Sequence, residues 1–140
     1  MYLSRPAEYA LRASTYLARQ APGKRITSRD LANAVDIPAA FLSKIMRRLT
    51  ANGIVDSKKG HHGGFELARP PAEIRFLDIL RAVEFGPLKD HCLLGLENCD
   101  ESNPCPLHAE WEILKQQIEQ WARAHTLSES LNAVQSFKQK

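Results

Sequence analysis

Three cysteines, Cys92, Cys99 and Cys105, and a histidine, His108, fall within one stretch from His91 to Trp111. Thiolates are soft ligands and imidazole often accompanies them, so the set can hold zinc or the irons of an iron–sulfur cluster. The stretch is rich in Gly, Asn, Asp, Glu and Pro and lacks helical or strand periodicity, which predicts a loop over about residues 90–107. An odd number of cysteines disfavours a closed disulfide framework. His91, beside Cys92, is a weaker candidate ligand.

The elements before this loop read as a nucleic-acid reader. Ser4 can cap a first helix with Pro6 in its tolerant first turn. Ala7, Ala10, Leu11, Ser14, Leu17 and Ala18 recur at helical spacing up to Ala21, before Pro22-Gly23. Thr27-Ser-Arg-Asp30 is a capping-box variant that opens a short second helix, Ser28 to Ala34. Val35-Asp36-Ile37 is a tight turn. Pro38 suits the first position of a third helix, with Phe41, Leu42, Ile45, Met46 and Leu49 on one face, ending near Gly53.

Two helices joined by such a turn form a helix-turn-helix. The solvent face of the third helix carries Ala39, Ala40, Ser43, Lys44, Arg47 and Arg48. Its small, polar first half can enter a major groove and its cationic second half suits phosphates. Strands at Ile54–Ser57 and Phe65–Ala68 then flank Lys58-Lys59-Gly60-His61-His62-Gly63-Gly64. A basic, Gly-rich hairpin tip here reads as a wing: glycine permits close approach to DNA, and Lys58, Lys59 and His61 are its candidate contacts.

Charge follows the same division. Residues 1–75 carry thirteen Lys/Arg against six Asp/Glu, and residues 76–140 carry six against ten. The basic half should meet a polyanion. Residues 1–75 are therefore expected to form a DNA-binding domain, and residues 76–140 the cysteine loop and a dimerisation helix. Phe76, Leu77, Leu80 and Val83 suggest a helix packing back on the first domain. Leu107, Trp111, Leu114, Ile118, Trp121 and His125 then alternate in steps of four and three, a seam that predicts pairing with a second copy. Leu127, Leu131 and Val134 suggest a last short element.

The opening Leu-Ser-x-x-x-Glu-Tyr-Ala-Leu-Arg-Ala (Leu3 to Ala13), the helix pair, the wing Gly60-x-x-Gly-Gly-Phe-x-Leu-Ala-Arg-Pro (to Pro70) and the three-cysteine loop resemble the IscR/NsrR family of bacterial winged-helix regulators. The resemblance covers nearly the whole chain. It implies a mainly α fold with a small β-hairpin wing, a winged helix-turn-helix followed by a long C-terminal dimerisation helix. It implies a homodimer on near-palindromic double-stranded DNA, and a 2Fe–2S or 4Fe–4S cluster on Cys92, Cys99 and Cys105. His108 matches the histidine ligand of IscR-like members. Glu8 matches the acidic position of NsrR-like members, reached from the partner subunit. Both candidate fourth ligands are present. The chain departs from the family at Ser43, where IscR has glutamate, and at Lys59, where arginine is common, so the operator sequence does not transfer.

Cys92, Cys99, Cys105 and His108 equally compose a Cys₃His zinc set, and the thiols alone could sense oxidants. An enzyme is not expected: the chain has no Cys-x-x-Cys pair, Gly-rich nucleotide loop or paired carboxylate pocket. No apolar run spans a membrane and no signal peptide is read at the N-terminus, so a bacterial cytoplasmic location is expected.

Overall fold

The computed structural model of the chain describes residues 4–83 and 92–131. His91 and Val134 lie outside the described residues. Among those described, five α-helices and one two-stranded sheet follow the order α1 (Arg5–Ala18), α2 (Ser28–Val35), α3 (Ala39–Ala51), β1 (Val55–Lys58), β2 (Gly64–Leu67), α4 (Phe76–Ala82) and α5 (His108–Ala124), with 3₁₀ turns at Pro71–Glu73 and Leu127–Ser130. This is a mainly α fold with a β-hairpin wing. No helix among the described residues is long and apolar enough to cross a membrane.

Side-chain capping sets the starts of α1 and α2. Ser4 Oγ accepts from the Ala7 N–H at 3.3 Å, and Thr27 Oγ1 accepts from the Asp30 N–H at 3.1 Å. Asp36 closes α2 in the left-handed conformation (φ 55°), and the Ile37 N–H reaches back to the Ala32 carbonyl. Arg12 of α1 donates from Nη1 to the carbonyl oxygens of Val35 (3.1 Å) and Asp36 (3.4 Å), fixing this turn against α1.

Several boundaries differ from those expected on the sequence. Helix α1 stops at Ala18, not Ala21: the Gln20 side chain takes the Tyr16 carbonyl at 3.0 Å and turns the chain early. Pro38 is the N-cap of α3 instead of its first helical residue. Both strands shift by a residue, pairing antiparallel with Val55 opposite Leu67 and Lys58 opposite Gly64. Phe41 is outside the core, 54% exposed, because it sits on the flank of α3 beyond the buried stripe of Leu42, Ile45, Met46 and Leu49.

One continuous core unites both halves of the sequence. Ala7, Ala10 and Ala13 are fully buried and let α1 lie close to its neighbours, while Leu31, Leu42, Met46, Leu49, Ile54 and Ile79 fill the centre. Ala122 and Leu127, from the far end of the chain, join the same core. After α5 the chain returns to residues 74–76: the Phe76 N–H donates to the His125 carbonyl and the Leu127 N–H to the Ile74 carbonyl, both at 3.0 Å. Arg81 of α4 and Glu119 of α5 add an ion pair at 3.3 Å.

The wing is braced from outside its own sequence. Register places Asp56 opposite Glu66, a like-charge pair that would destabilise the hairpin alone. Arg25, only 18% exposed, answers both: its Nη2 lies 2.6 Å from Asp56 Oδ2 and 2.9 Å from Glu66 Oε1. Ile26 also bridges Phe65. Gly64 sits at the crossing with φ 135°, where a Cβ would fall 2.5 Å from the Ile26 carbonyl oxygen. Glycine is thus required there by the wing's own packing. Gly64→Ala is expected to cost about 2 kcal/mol or more, read as a lowered midpoint in thermal or urea unfolding. An unchanged midpoint would contradict this packing.

Candidate metal centre and nucleic-acid interface

The cysteine loop closes on itself through short-range turns. The Gly95 N–H donates to the Cys92 carbonyl at 2.9 Å, with Gly95 at φ 72°. Asp100 organises the next turn. Its Oδ1 accepts from the Ser102 N–H (2.8 Å), the Ser102 hydroxyl (2.5 Å) and the Asn103 N–H (2.9 Å). These bonds, led by the Ser102 hydroxyl, hold the Asp100 carboxyl below its ordinary range. Asp100 is not among the residues expected to matter on the sequence alone; its signal there is an Asp followed by Ser and Asn at turn spacing.

These turns bring the three sulfurs within 4.8 Å of one another, with Cys92 buried and Cys99 and Cys105 half-buried. They form the one close group of three or more metal-ligating side chains among the described residues. Cys92 Sγ and Cys105 Sγ are 3.8 Å apart. His108 approaches through Cys99, with Nδ1 at 3.4 Å from that sulfur, and its backbone N–H caps the loop by donating to the Cys105 carbonyl at 3.1 Å. The Cys92 thiol is pulled down from 9.0 to about 7, chiefly by the Leu96 N–H, with burial opposing and the Leu94 N–H assisting. Cys99 moves the other way. The Cys105 N–H favours its thiolate, but burial and the neighbouring sulfurs outweigh that bond and raise it.

The donor set fits a metal group. Two thiolates on one tetrahedral metal at about 2.3 Å per bond stand about 3.8 Å apart, which is the Cys92–Cys105 spacing. The other candidate ligand, Glu8, is on the first turn of α1, 3.7 Å from Arg5 and outside the thiol group of its own chain.

In the helix-turn-helix, α3 exposes Ala39, Ala40, Ser43, Lys44, Arg47 and Arg48, and the wing exposes Lys58, Lys59 and His61. Ser43 turns its hydroxyl to the Ala39 carbonyl at 3.0 Å, which leaves the helix surface there smooth. The wing tip is a tight turn in which the Gly63 N–H donates to the Gly60 carbonyl at 2.9 Å, and His61 and His62 pack ring on ring at 4.1 Å. Sequence patterning does not reveal Phe41 on this surface or Arg25 beneath the wing.

Along α5, Leu107, Leu114 and Trp121 are exposed and Trp111 and Ile118 are half-buried, whereas Lys115 and Ala122 face the protein's own core. One side of the helix is thus packed on α4 and the predicted seam stays open along an edge. Trp121 is shared, its ring touching Phe76 and His125 at 5.6 Å each.

Comparison with known proteins agrees with this architecture. The Rrf2 family profile, described as iron-dependent transcriptional regulator, matches residues 3–133. A "Putative HTH-type transcriptional regulator" of Aquifex aeolicus (strain VF5) is 36% identical over 134 residues, covering 94% of this chain and 92% of that protein. The HTH-type transcriptional regulator IscR of Photorhabdus laumondii is 27% identical over 132 residues, covering 94% and 80%. Among solved structures, CymR, the global cysteine regulator of B. subtilis, superposes with a TM-score of 0.77 at 21% identity over 96% of this chain and 98% of that one. IscR of T. potens gives 0.75 at 24% identity over 95% and 88%. These relatives are regulators, not enzymes, and the two structures share the winged-helix fold. The chain belongs to the Rrf2 family of transcriptional regulators.

Proposed function

We propose that the protein is a homodimeric repressor of the bacterial cytoplasm. It binds a near-palindromic duplex through α3 and the wing. It senses redox state, nitric oxide or iron–sulfur supply through a cluster on Cys92, Cys99, Cys105 and a fourth ligand, His108 or Glu8. The observation that carries this reading is the convergence of three sulfurs within 4.8 Å on a polar loop. The fourth candidate is at hand in His108, whose Nδ1 lies 3.4 Å from Cys99 Sγ, while Cys92 and Cys105 stand 3.8 Å apart. A bound cluster would supply a centre open to oxidant or nitric oxide, most of all at its one non-thiolate ligand.

The chain's own residues connect that centre to the rest of the fold. His108 is the first residue of α5, so holding its ring fixes the start of the seam helix. Glu8 precedes Tyr9, whose ring meets Phe41 of α3 edge-on with centroids 6.1 Å apart. Either ligand therefore ties the loop to an element that faces DNA or a partner. Half-sites one helical turn apart, about 34–36 Å, make affinity sensitive to small shifts between the two α3 helices.

The test is oxygen-free purification with absorption and Mössbauer spectra and an iron and sulfide assay. The expected protein is brown, holds iron and sulfide in similar amounts and bleaches in air. The spectra change in whichever of Glu8→Ala and His108→Ala removes a ligand. A colourless protein with one zinc per chain would replace the sensor with a metal-stapled loop. A colourless, metal-free protein whose DNA affinity follows thiol oxidation would replace the cluster with the cysteines themselves. Either outcome overturns the cluster.

A further inference from the structure

Phe41 is the third residue of α3 and its ring stands half in water. Single exposed apolar residues are ordinary, so exposure alone means little. Its placement and support are what distinguish it. Phe41, Lys44 and Arg48 occupy one row of the helix (i, i+3, i+7) beside the buried stripe. Tyr9 of α1 backs the ring from behind. The Tyr9 ring has the Arg12 guanidinium 5.6 Å and the Arg5 guanidinium 6.0 Å from its centroid. Arg12 is in turn bonded to the carbonyls of the turn before α3. The fold thus holds an apolar ring in place on the first turn of α3, where the other exposed side chains are Ala39, Ala40 and Ser43.

In a recognition helix the first turn reaches the base edges. The one apolar group on a base edge in the major groove is the C5-methyl of thymine, and Phe is among the side chains that contact it. Resting on the reading of α3 as the DNA reader, we infer that Phe41 determines sequence specificity by packing on a thymine methyl group in each half-site. Ala39 and Ala40 leave the room for that approach. Tyr9 acts as a positioning residue, holding the ring at the groove.

The test changes the DNA by one methyl group and compares the wild-type protein with variants at Phe41. A duplex is first selected from a random pool with the wild-type protein, and deoxyuridine then replaces thymine at each position of one half-site in turn. The expected result is a single position at which uracil lowers wild-type affinity about fourfold, the worth of one buried methyl group. Phe41→Ala, which should fold normally because the side chain is more than half exposed, binds the thymine and uracil duplexes equally. Phe41→Leu retains part of the difference. If no position is sensitive to the methyl group, or the penalty is the same in wild type and Phe41→Ala, the inference is refuted while the DNA-reader assignment stands. If the pool yields no enriched duplex, the reader assignment fails and the inference fails with it.

Discussion

Leu114→Glu should turn the protein into a monomer at micromolar concentration and lower its affinity for a two-half-site duplex by about a hundredfold or more. The expectation comes from how α5 is divided. Its inner side is already occupied, with Ala122 in the core, Glu119 paired to Arg81 and to Arg123, and Lys115 buried beside Glu112 at 2.9 Å. Its outer edge carries Leu107, Leu114 and Trp121, and Leu114 is 51% exposed. In a two-fold interface each substitution occurs twice. A carboxylate without a partner is costly to bury, several kcal/mol per ion, and the two copies would face each other. The single chain should melt as before, since Leu114 points to solvent. Trp121 is a poorer choice because its inner surface packs on Phe76, so a change there confounds folding with assembly. Sedimentation velocity and fluorescence anisotropy on one DNA duplex would read both effects, with Leu114→Ala as a mild control. A dimer that survives Leu114→Glu would move the interface to another surface.

The parts of this fold that are legible in the sequence are those set by local rules. Ser4 and Thr27 announce helix starts because a side-chain oxygen two or three residues ahead of free N–H groups has one obvious use. The alternation of Leu42, Ile45, Met46 and Leu49 announces a buried stripe in the same way. Phe41 is misplaced when hydrophobicity is equated with burial, because one helical step of rotation moves it from core to surface. Arg25 cannot be found locally at all. Its partners Asp56 and Glu66 become neighbours only when the hairpin registers them opposite each other. Gly64 stands out in the sequence for approach to DNA, but the Ile26 backbone that forbids a Cβ lies far back in the chain. The cysteines are legible by type and spacing. Their convergence, with His108 beside Cys99, depends on turns fixed by Gly95 and Asp100 and emerges only in three dimensions.

The second large effect concerns the DNA surface. Lys44→Ala, Arg47→Ala and Lys59→Ala combined should lower affinity for any duplex by about a hundredfold or more near physiological salt. They should also flatten the plot of log affinity against log salt by roughly 2.7 per protomer, about 0.9 for each phosphate no longer neutralised. All three side chains are exposed, Lys44 and Arg47 on the outward face of α3 and Lys59 at the wing tip. Their removal should leave unfolding unchanged, which separates a contact role from a structural one. Arg123 is the matched control. It is 52% exposed on α5, on the more acidic half of the chain, and its bond to Glu119 at 2.6 Å belongs to the packing of that helix. Arg123→Ala should leave the salt slope where it was, even if it trims stability slightly. The two slopes are decisive together because net charge falls in both variants while only one gives up charge from the assigned surface. If general charge, and no particular face of α3 or the wing, attracts the nucleic acid, Arg123→Ala flattens the slope about a third as much as the triple variant does. A flattened slope in the triple variant alone ties counterion release to this face.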